Sequence, residues 1–365
     1  MEIATVDLYR YELPLTTPLR MTGSTVQRRR GLLVRFATEQ GAIGWGDAAP
    51  LPGFSAHSLL EVVAVARRHA PLWTGTTIPH SEGTLDPSLR TLSCGPECPA
   101  SLRFAAESAV VELVAATRRA SVPAVLGDPR STVALNALIT CPEDDGPARA
   151  ARYREQGYRA VKVKVGRGPV EEEIELLRAI RRSLGDAVTL RADANRAWSL
   201  EEAVAFAEAT RDLPIAYVEE PLADPTQRSD LGTQTDLPVA LDETTREVGP
   251  DALRDAPAVS AVVLKPMLLG GVRRTLEWRR AAREAGVSSV ISAAYESGVG
   301  LRMLVALAAT EPDTPVGLST YDRLADDVLR PPLPMDGPLI DVRSVVGAPI
   351  AVDKDRLERI DVYSS

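Results

Sequence analysis

Short apolar runs alternate with amphipathic segments along the chain from about residue 133 onward. The predicted strands are VALNALI at 133–139, AVKVKVG at 160–166, VTLRAD at 188–193, IAYVEE at 215–220, LPVALDE at 237–243, AVVLK at 261–265, SVISAA at 289–294 and PVGLS at 315–319. Between them, apolar residues recur at helical spacing in EEEIELLRAIRRSL, and Ser199 with Glu202 forms the pattern of a capping box. Eight units of this kind predict a TIM-type (β/α) barrel.

The first part of the chain has a different pattern. IATVDLYRYELPL, GLLVRFAT and AIGWGDAAP predict antiparallel strands, and helices are predicted near 55–70 and 100–119. The proline-containing tail has no further strand-helix unit. We therefore predict an α/β protein with an N-terminal α+β capping domain at 1–125, completed by about 321–365, and a barrel domain at 126–320.

Composition disfavours several classes of function. The net charge of -8 and the sequence pI near 5.2 argue against a nucleic-acid-binding surface, which needs clustered cations. No run approaches the roughly 18 apolar residues of a membrane span, and Met1 to Leu15 lack the apolar core of a signal peptide. We expect a cytoplasmic protein that acts on a small molecule, of open oligomeric state. Cys94, Cys98 and Cys141 are expected to be thiols outside any zinc site.

Five polar residues close successive predicted strands, namely Lys164, Asp193, Glu219, Asp242 and Lys265. They follow one another at steps of 29, 26, 23 and 23 residues, each the length of one strand-helix unit. The carboxyl ends of all barrel strands meet at one mouth, so these side chains are predicted to be neighbours. Three gathered carboxylates repel one another unless a cation lies between them, and oxygen donors without imidazole or thiolate favour Mg²⁺ or Mn²⁺.

Spacing alone leaves alternatives for these acids. A single acid at the end of a strand is commonly the N-cap of the helix that follows. Glu220 and Glu243 directly follow two of the ligand candidates, and strand alternation turns neighbouring side chains in opposite directions. Which member of each pair faces the cation therefore stays open at the level of spacing.

Lysine is rare in this chain, with four lysines among 42 cationic residues, and Lys162, Lys164 and Lys265 lie in apolar runs. A bias toward arginine could leave such lysines by chance, but only lysine can become a neutral base when it is buried. Lys162 and Lys164 project to the same face of one strand, and burying two ammonium groups there favours deprotonation of one. All three histidines lie in the first quarter of the chain, so the barrel has no imidazole base. We predict Lys164 as a base that removes the α proton of a small-molecule carboxylate, with Lys265 across the mouth.

The segments VKVKVG, RADANRAW, YVEEP, LDET, LKPMLLGG and YESGVG resemble, in this order, the barrel motifs of the enolase superfamily, muconate lactonizing subgroup. The resemblance covers most of the chain and implies an enolase-like, modified (β/α)7β barrel. The site that it implies consists of Lys164 as base, Lys162 as its neighbour, Lys265 as the opposing lysine, and Asp193, Glu219 and Asp242 as Mg²⁺ ligands.

Three further segments, RRRGLLVRF, GWGDAAPLPGFS and ASLRFAAESA, together with RADANRAW, look most like lyases of this subgroup that dehydrate a hydroxycyclohexadiene carboxylate. This implies that Lys164 carries both proton transfers on one face, while Lys265 holds the intermediate by an electrostatic or cation-π contact. The same lysines would also serve a racemase or epimerase of N-succinylamino acids or dipeptides. A non-catalytic binding or scaffold barrel is the alternative of another class.

The resemblance also implies two loops of the capping domain that select the substrate, at about residues 16–29 and at Leu51–Ser55. Asp47 stands where the resemblance implies a glutamate in the sequence GWGE. The candidate substrate contacts are Phe54, Arg191, Asn195 and Ser297.

Overall fold

The structure is a computed structural model that describes residues 1–21, 24–81, 85–92, 94–140, 145–254, 256 and 258–364. Its strands are β1 (Thr5–Met21), β2 (Ser24–Ala37), β3 (Ile43–Ala48), β4 (Thr132–Ala134), β5 (Asn136–Thr140), β6 (Ala160–Lys164), β7 (Thr189–Asp193), β8 (Ile215–Glu219), β9 (Val239–Leu241), β10 (Val259–Leu264), β11 (Ser288–Ile291), β12 (Leu339–Asp341) and β13 (Leu357–Ser364).

The helices complete the outline of the fold. They are α1 (Leu59–Trp73), α2 (Asp86–Thr91), α3 (Ala100–Arg118), α4 (Val122–Leu126), α5 (Gly146–Glu155), α6 (Val170–Leu184), α7 (Leu200–Ala209), α8 (Arg228–Gln234), α9 (Thr244–Glu247), α10 (Pro266–Leu269), α11 (Val272–Glu284), α12 (Gly298–Ala309) and α13 (Val342–Val346). Among the described residues, none of them is both long and apolar enough to cross a membrane.

Seven parallel strands, β5 to β11, lie in chain order in one sheet. The eighth predicted strand, PVGLS, is reduced to two bridges. Val316 pairs with Leu135, just before β5, and Gly317 pairs with Ser292, just after β11. Pro315, the first residue of this segment, has no N–H to donate to a neighbouring strand. The segment nevertheless closes the sheet, and the predicted (β/α) barrel with an N-terminal capping domain is confirmed.

Alternation along β6 shows how the sequence builds the barrel. Val161 and Val163 are fully buried, and Lys162 and Lys164, which alternate with them, project from the opposite face of the strand. Outside the strands, α6 buries the predicted apolar stripe, and α7 begins with the predicted capping box, in which Ser199 Oγ accepts from Glu202 N at 3.2 Å. Local pattern and tertiary packing therefore agree in this half of the chain.

A four-stranded antiparallel sheet forms the capping domain, with the strand order β13, β1, β2, β3. Helix α3 crosses β3 so closely that a Cβ at Gly44 would lie 2.0 Å from Ala109 O, and one at Gly46 would lie 1.8 Å from Ala105 O. Both glycines are therefore required by the approach of helix to strand. The last strand, β13, reaches this sheet by pairing antiparallel with β1.

Two expectations change in the capping domain. The region 16–29, expected as a loop, is mostly the arm of a long hairpin, because β1 and β2 continue pairing as far as Met21 and Ser24; residues 22 and 23 lie outside the described residues. Cys94 and Cys98 form a disulfide, with Cα atoms 5.2 Å apart, so the expectation of free thiols is wrong for this pair. Cys141 also lies outside the described residues.

Asp7 on β1 offers a test of how the capping sheet is held together. Its side chain is 2% exposed, and it accepts from Arg35 on β2 at 2.6 Å and from Arg359 on β13. We predict that Asp7→Asn lowers the free energy of unfolding by about 1–3 kcal/mol, because two arginines lose a charged acceptor. Chemical denaturation measures this, and Asp86→Asn, which affects an exposed pair with Arg90, should change stability by less than about 1 kcal/mol. Equal effects of the two substitutions would contradict the role of Asp7.

Candidate active site at the barrel mouth

The register of the barrel strands aligns the predicted site residues. Lys164 pairs with Asp193 across β6 and β7, and Asp193 pairs with Glu219 across β7 and β8. Asp242 and Lys265 directly follow β9 and β10. The five side chains are therefore brought to the carboxyl ends of five consecutive strands, at one mouth of the barrel.

The lysines and carboxylates form one buried charge cluster. Lys162 Nζ lies 2.8 Å from Asp193 Oδ2 and 3.2 Å from Glu219 Oε2. Lys164 Nζ lies 2.6 Å from Asp193 Oδ2, and Lys265 Nζ contacts Asp242 Oδ2. The three carboxylates are at most 3% exposed. Every lysine of the cluster thus has a carboxylate partner.

Neighbouring carboxylates raise the pKa of two of these lysines. Burial alone would lower the pKa of Lys162, but the carboxylates of Asp193 and Glu219 outweigh burial and raise that pKa well above its usual value. At Lys265, burial likewise lowers the pKa, but the negative charges of Asp242 and Glu219 outweigh burial and raise the pKa above its usual value. The neighbouring anions therefore offset the cost of burying the ammonium groups of Lys162 and Lys265.

The carboxylates differ in how well they are compensated. Burial would raise the pKa of Asp193, but Lys162 and Lys164 hold it below its usual range. Glu219 shows the opposite balance, because burial and then the charge of Asp193 raise its pKa, and Lys162 offsets them only in part. Glu219 therefore lies where additional positive charge would be stabilised.

Glu243 extends this anionic side of the site. Its Oε2 is buried and has no hydrogen-bond partner among the described residues, and burial followed by the charge of Asp242 raises its pKa. An orphaned carboxylate oxygen beside Asp242 fits a donor set for a hard cation, as do the three carboxylates themselves. In the structure the carboxylates contact lysines, and within the described residues no cluster of three or more acidic, histidine or cysteine side chains has the arrangement of a metal site.

Asn195 lies directly on the predicted base. Its Oδ1 accepts from Lys164 Nζ at 2.5 Å, and its N donates to Asp193 Oδ1 at 3.2 Å. Its backbone is left-handed, with φ 46°, a conformation that asparagine adopts more readily than most residues. Asn195 is thus placed to orient the Lys164 side chain.

Two other candidate substrate contacts already have protein partners. Arg191 is buried and donates to Asn136 Oδ1 at 3.2 Å and to Pro315 O at 2.8 Å. Ser297 donates from N at 2.9 Å and from Oγ at 2.8 Å to Asp47 Oδ2. Ser297 therefore joins the barrel to the capping domain at the start of α12.

The loop Leu51–Ser55 reaches the barrel through its backbone. Phe54 O accepts from Arg246 Nη1 at 2.9 Å, and Arg246 lies on α9, which follows Asp242. Phe54 is 38% exposed. This contact fixes the second capping loop beside the strand end that carries Asp242.

Sequence reasoning missed the group behind the carboxylates. Glu220 turns away from the lysines and accepts from the backbone N–H groups of Asp242 and Thr244 at 2.8 and 2.7 Å. Arg196 donates to Glu220 at 3.3 Å and to both oxygens of Glu247 at 2.7 Å. The doubled glutamate in YVEEP carried a signal for this role, because one of two adjacent strand-end acids must face away.

Comparison with known proteins agrees with this geometry. Residues 147–356 match the family described as enolase C-terminal domain-like, and residues 3–95 match the family described as MenC, N-terminal domain. The chain therefore belongs to the enolase superfamily.

Individual relatives extend over nearly the whole chain. An o-succinylbenzoate synthase of Haemophilus influenzae is 31% identical over 342 residues, which cover 93% of this chain and 96% of that protein. The crystal structure of a dipeptide epimerase from Cytophaga hutchinsonii, complexed with Mg and the dipeptide D-Ala-L-Val, superposes with a TM-score of 0.83 at 23% identity and covers 99% of both chains. An N-succinyl Arg/Lys racemase from Bacillus cereus superposes with a TM-score of 0.84 at 20% identity, over 99% of this chain and 100% of that one. These two structures share the fold.

Asp47 makes the link between the capping domain and α12 sensitive to pH. Burial raises its pKa from 3.8 to about 6, against the hydrogen bonds from Tyr11 and Ser297. The folded state thus binds this proton more tightly than the unfolded state, so the stability contributed by the proton is lost as the pH rises through about 6. Between pH 4 and pH 6.5, the unfolding free energy of the wild type should decrease by up to about 3 kcal/mol more than that of Asp47→Asn, because asparagine has no proton to lose.

Thermal unfolding of the wild type and the variant across this pH range measures the difference between their slopes. Asp186→Asn, at an exposed position, is the control and should follow the wild-type profile. Parallel profiles for the wild type and Asp47→Asn would contradict the assignment.

Proposed function

We propose that this protein is an o-succinylbenzoate synthase, which removes water from 2-succinyl-6-hydroxy-2,4-cyclohexadiene-1-carboxylate to give 2-succinylbenzoate for menaquinone biosynthesis. The placement of Lys164 and Lys265 on β6 and just after β10, with the carboxylate cluster of β7, β8 and β9 between them, is the observation that carries the proposal. The full-length similarity to o-succinylbenzoate synthases supports this substrate.

The proposed cation ligands are Asp193, Glu219 and Asp242. A divalent cation, Mg²⁺ or Mn²⁺, would when bound stabilise the negative charge that develops on the substrate carboxylate. The cluster supplies hard oxygen donors, and the raised pKa of Glu219, caused by burial and by the neighbouring Asp193, indicates where positive charge is lacking.

The lysines divide the proton chemistry in this proposal. Lys164 in its neutral form takes the proton from the carbon next to the substrate carboxylate, and the C–H electron pair passes into the enediolate. Lys164 then returns the proton to the β hydroxyl, which leaves as water while the ring becomes aromatic. Lys265 remains an ammonium group on the other side and stabilises the negative charge of the intermediate. Lys162, paired to Asp193 and Glu219, keeps a second positive charge behind the base.

A racemase or epimerase of N-succinylamino acids or dipeptides is the second candidate. Two lysines on opposite sides of a carboxylate cluster are also what two-sided proton exchange at an α carbon requires. The close superposition on a dipeptide epimerase and an N-succinyl Arg/Lys racemase is in keeping with this candidate at the level of fold.

The deciding experiment offers the purified protein the cyclohexadiene substrate and a set of N-succinylamino acids and dipeptides, each with and without Mg²⁺. We expect Mg²⁺-dependent loss of the diene absorbance and formation of 2-succinylbenzoate. Exchange of the α proton for deuterium in an amino acid substrate, with no turnover of the diene, would instead support the racemase. Binding of these compounds with no turnover of any would support the non-catalytic barrel.

The role of Lys164 is tested by Lys164→Arg. This substitution keeps a long cationic side chain beside Asp193 but replaces the base with a group that cannot lose its proton. We predict a decrease in kcat of about 10²- to 10⁴-fold, measured as dehydration under saturating Mg²⁺. The control is Lys354→Arg. Lys354, the fourth lysine of the chain, lies outside the cluster in a short 3-10 turn, so this substitution should leave kcat unchanged. Full activity of Lys164→Arg would remove Lys164 from the mechanism.

A further inference from the structure

The carboxylate of Glu220 lies behind the cation ligands rather than among them. It is 3% exposed. Its Oε1 accepts from Asp242 N at 2.8 Å and from Thr244 N at 2.7 Å, and its Oε2 accepts from Thr244 Oγ1 at 2.9 Å. One carboxylate thereby holds the turn between β9 and α9, where Asp242 is located.

Arg196 holds this carboxylate in turn. Its Nε donates to Glu220 Oε2 at 3.3 Å, and its Nη2 donates to Thr244 Oγ1 at 3.0 Å. On its outer side it forms two bonds of 2.7 Å to Glu247. Its backbone N also donates to Glu220 O at 2.7 Å. Arg196 therefore connects the loop after β7 with the loops after β8 and β9.

Arg196, Glu220 and Thr244 each lie close in sequence to one of the proposed cation ligands. Arg196 follows Asp193 by three residues, Glu220 follows Glu219 directly, and Thr244 follows Asp242 by two. Each strand that ends in a proposed ligand therefore contributes one member to the same hydrogen-bonded group, which we call the buttress (Arg196, Glu220, Thr244).

Two residues of the buttress have a strained backbone conformation, and the hydrogen bonds of the buttress hold them in it. Glu220 has φ 42° and Arg196 has φ 61°, a left-handed conformation that costs a non-glycine residue free energy. The N–H groups at the start of α9 have no side-chain cap of their own, since Glu243 at the N-cap position makes no such bond. Glu220 supplies acceptors to this turn from a neighbouring strand and thereby restricts the direction of the Asp242 side chain.

We propose that Glu220, fixed by Arg196 and Thr244, is a positioning residue that orients Asp242 toward the divalent cation. The proposal rests on the proposed function for the identity of the cation and its ligands. It assigns to Glu220 no contact with the cation or the substrate.

The test measures binding of Mg²⁺ alone by titration calorimetry, without any substrate. Glu220→Gln keeps the size of the side chain but loses the charge and part of the accepting capacity of the carboxylate. We expect the Kd for Mg²⁺ to increase by about 10- to 100-fold. The matched control is Glu247→Gln, which makes the same chemical change on the exposed side of Arg196. It should alter the Kd by less than about fivefold.

A second pair of variants keeps the test informative where Glu220→Gln folds poorly. Thr244→Val removes the hydroxyl that joins Glu220 to Arg196 and preserves the side-chain shape, so the Kd should increase by about 3- to 10-fold. Thr244→Ser retains the hydroxyl and should restore most of the wild-type affinity. Dehydration assays of the same variants should show the loss at low Mg²⁺ and recovery of kcat at saturating Mg²⁺, which general destabilisation would not produce.

The outcomes separate this inference from the proposed function. Wild-type protein that binds no Mg²⁺ would remove the proposed cation and, with it, this inference. Wild-type protein that binds Mg²⁺, together with unchanged affinity in Glu220→Gln and Thr244→Val, would overturn the positioning role alone. An equal loss in Glu220→Gln and Glu247→Gln would identify a long-range effect of charge and would also overturn it.

Discussion

The mouth of the barrel depends on mutual compensation of buried charge. Taking an ion out of water costs several kcal/mol, and this cost is offset only where partners of opposite charge are held in good geometry. Asp193 achieves this with Lys162 and Lys164, both within 2.8 Å of one carboxylate oxygen. Removing one group would leave its buried partners less well compensated, so the cluster has to be regarded as a unit.

The capping domain contributes to the site by fastening the loops that follow the barrel strands. Asp47 binds Ser297 after β11, and Phe54 O binds Arg246 after β9. Glu107 of α3 accepts from Arg273 N at the start of α11, the helix that follows the Lys265 segment, and burial raises its pKa to about 7. Contacts from one domain therefore reach three of the loops that surround the mouth.

The sequence predicted well what depends on local periodicity and poorly what depends on long-range contacts. Alternation in AVKVKVG and the spacing from Lys164 to Lys265 were sufficient to place five side chains at one mouth, because parallel strands impose that convergence. The pairing of Asp47 with Ser297 spans 250 residues, and no local pattern announces it. The closing segment at 315–319 kept an apolar pattern but not a full strand.

Backbone strain explains why the buttress in particular escaped prediction. Propensity favours glycine where φ is positive, yet Asn195, Arg196, Glu220 and Tyr295 adopt such angles beside the strand ends. Conformations of this kind cost about 1–3 kcal/mol each and persist only where surrounding bonds determine them. Arg196 and Glu220 meet that condition through hydrogen bonds to one another and to the turn after β9. The stability lost locally is balanced by the large apolar core on which the barrel is built. Rigid placement of Asp242 thus follows from the same contacts that keep the strained backbone in place.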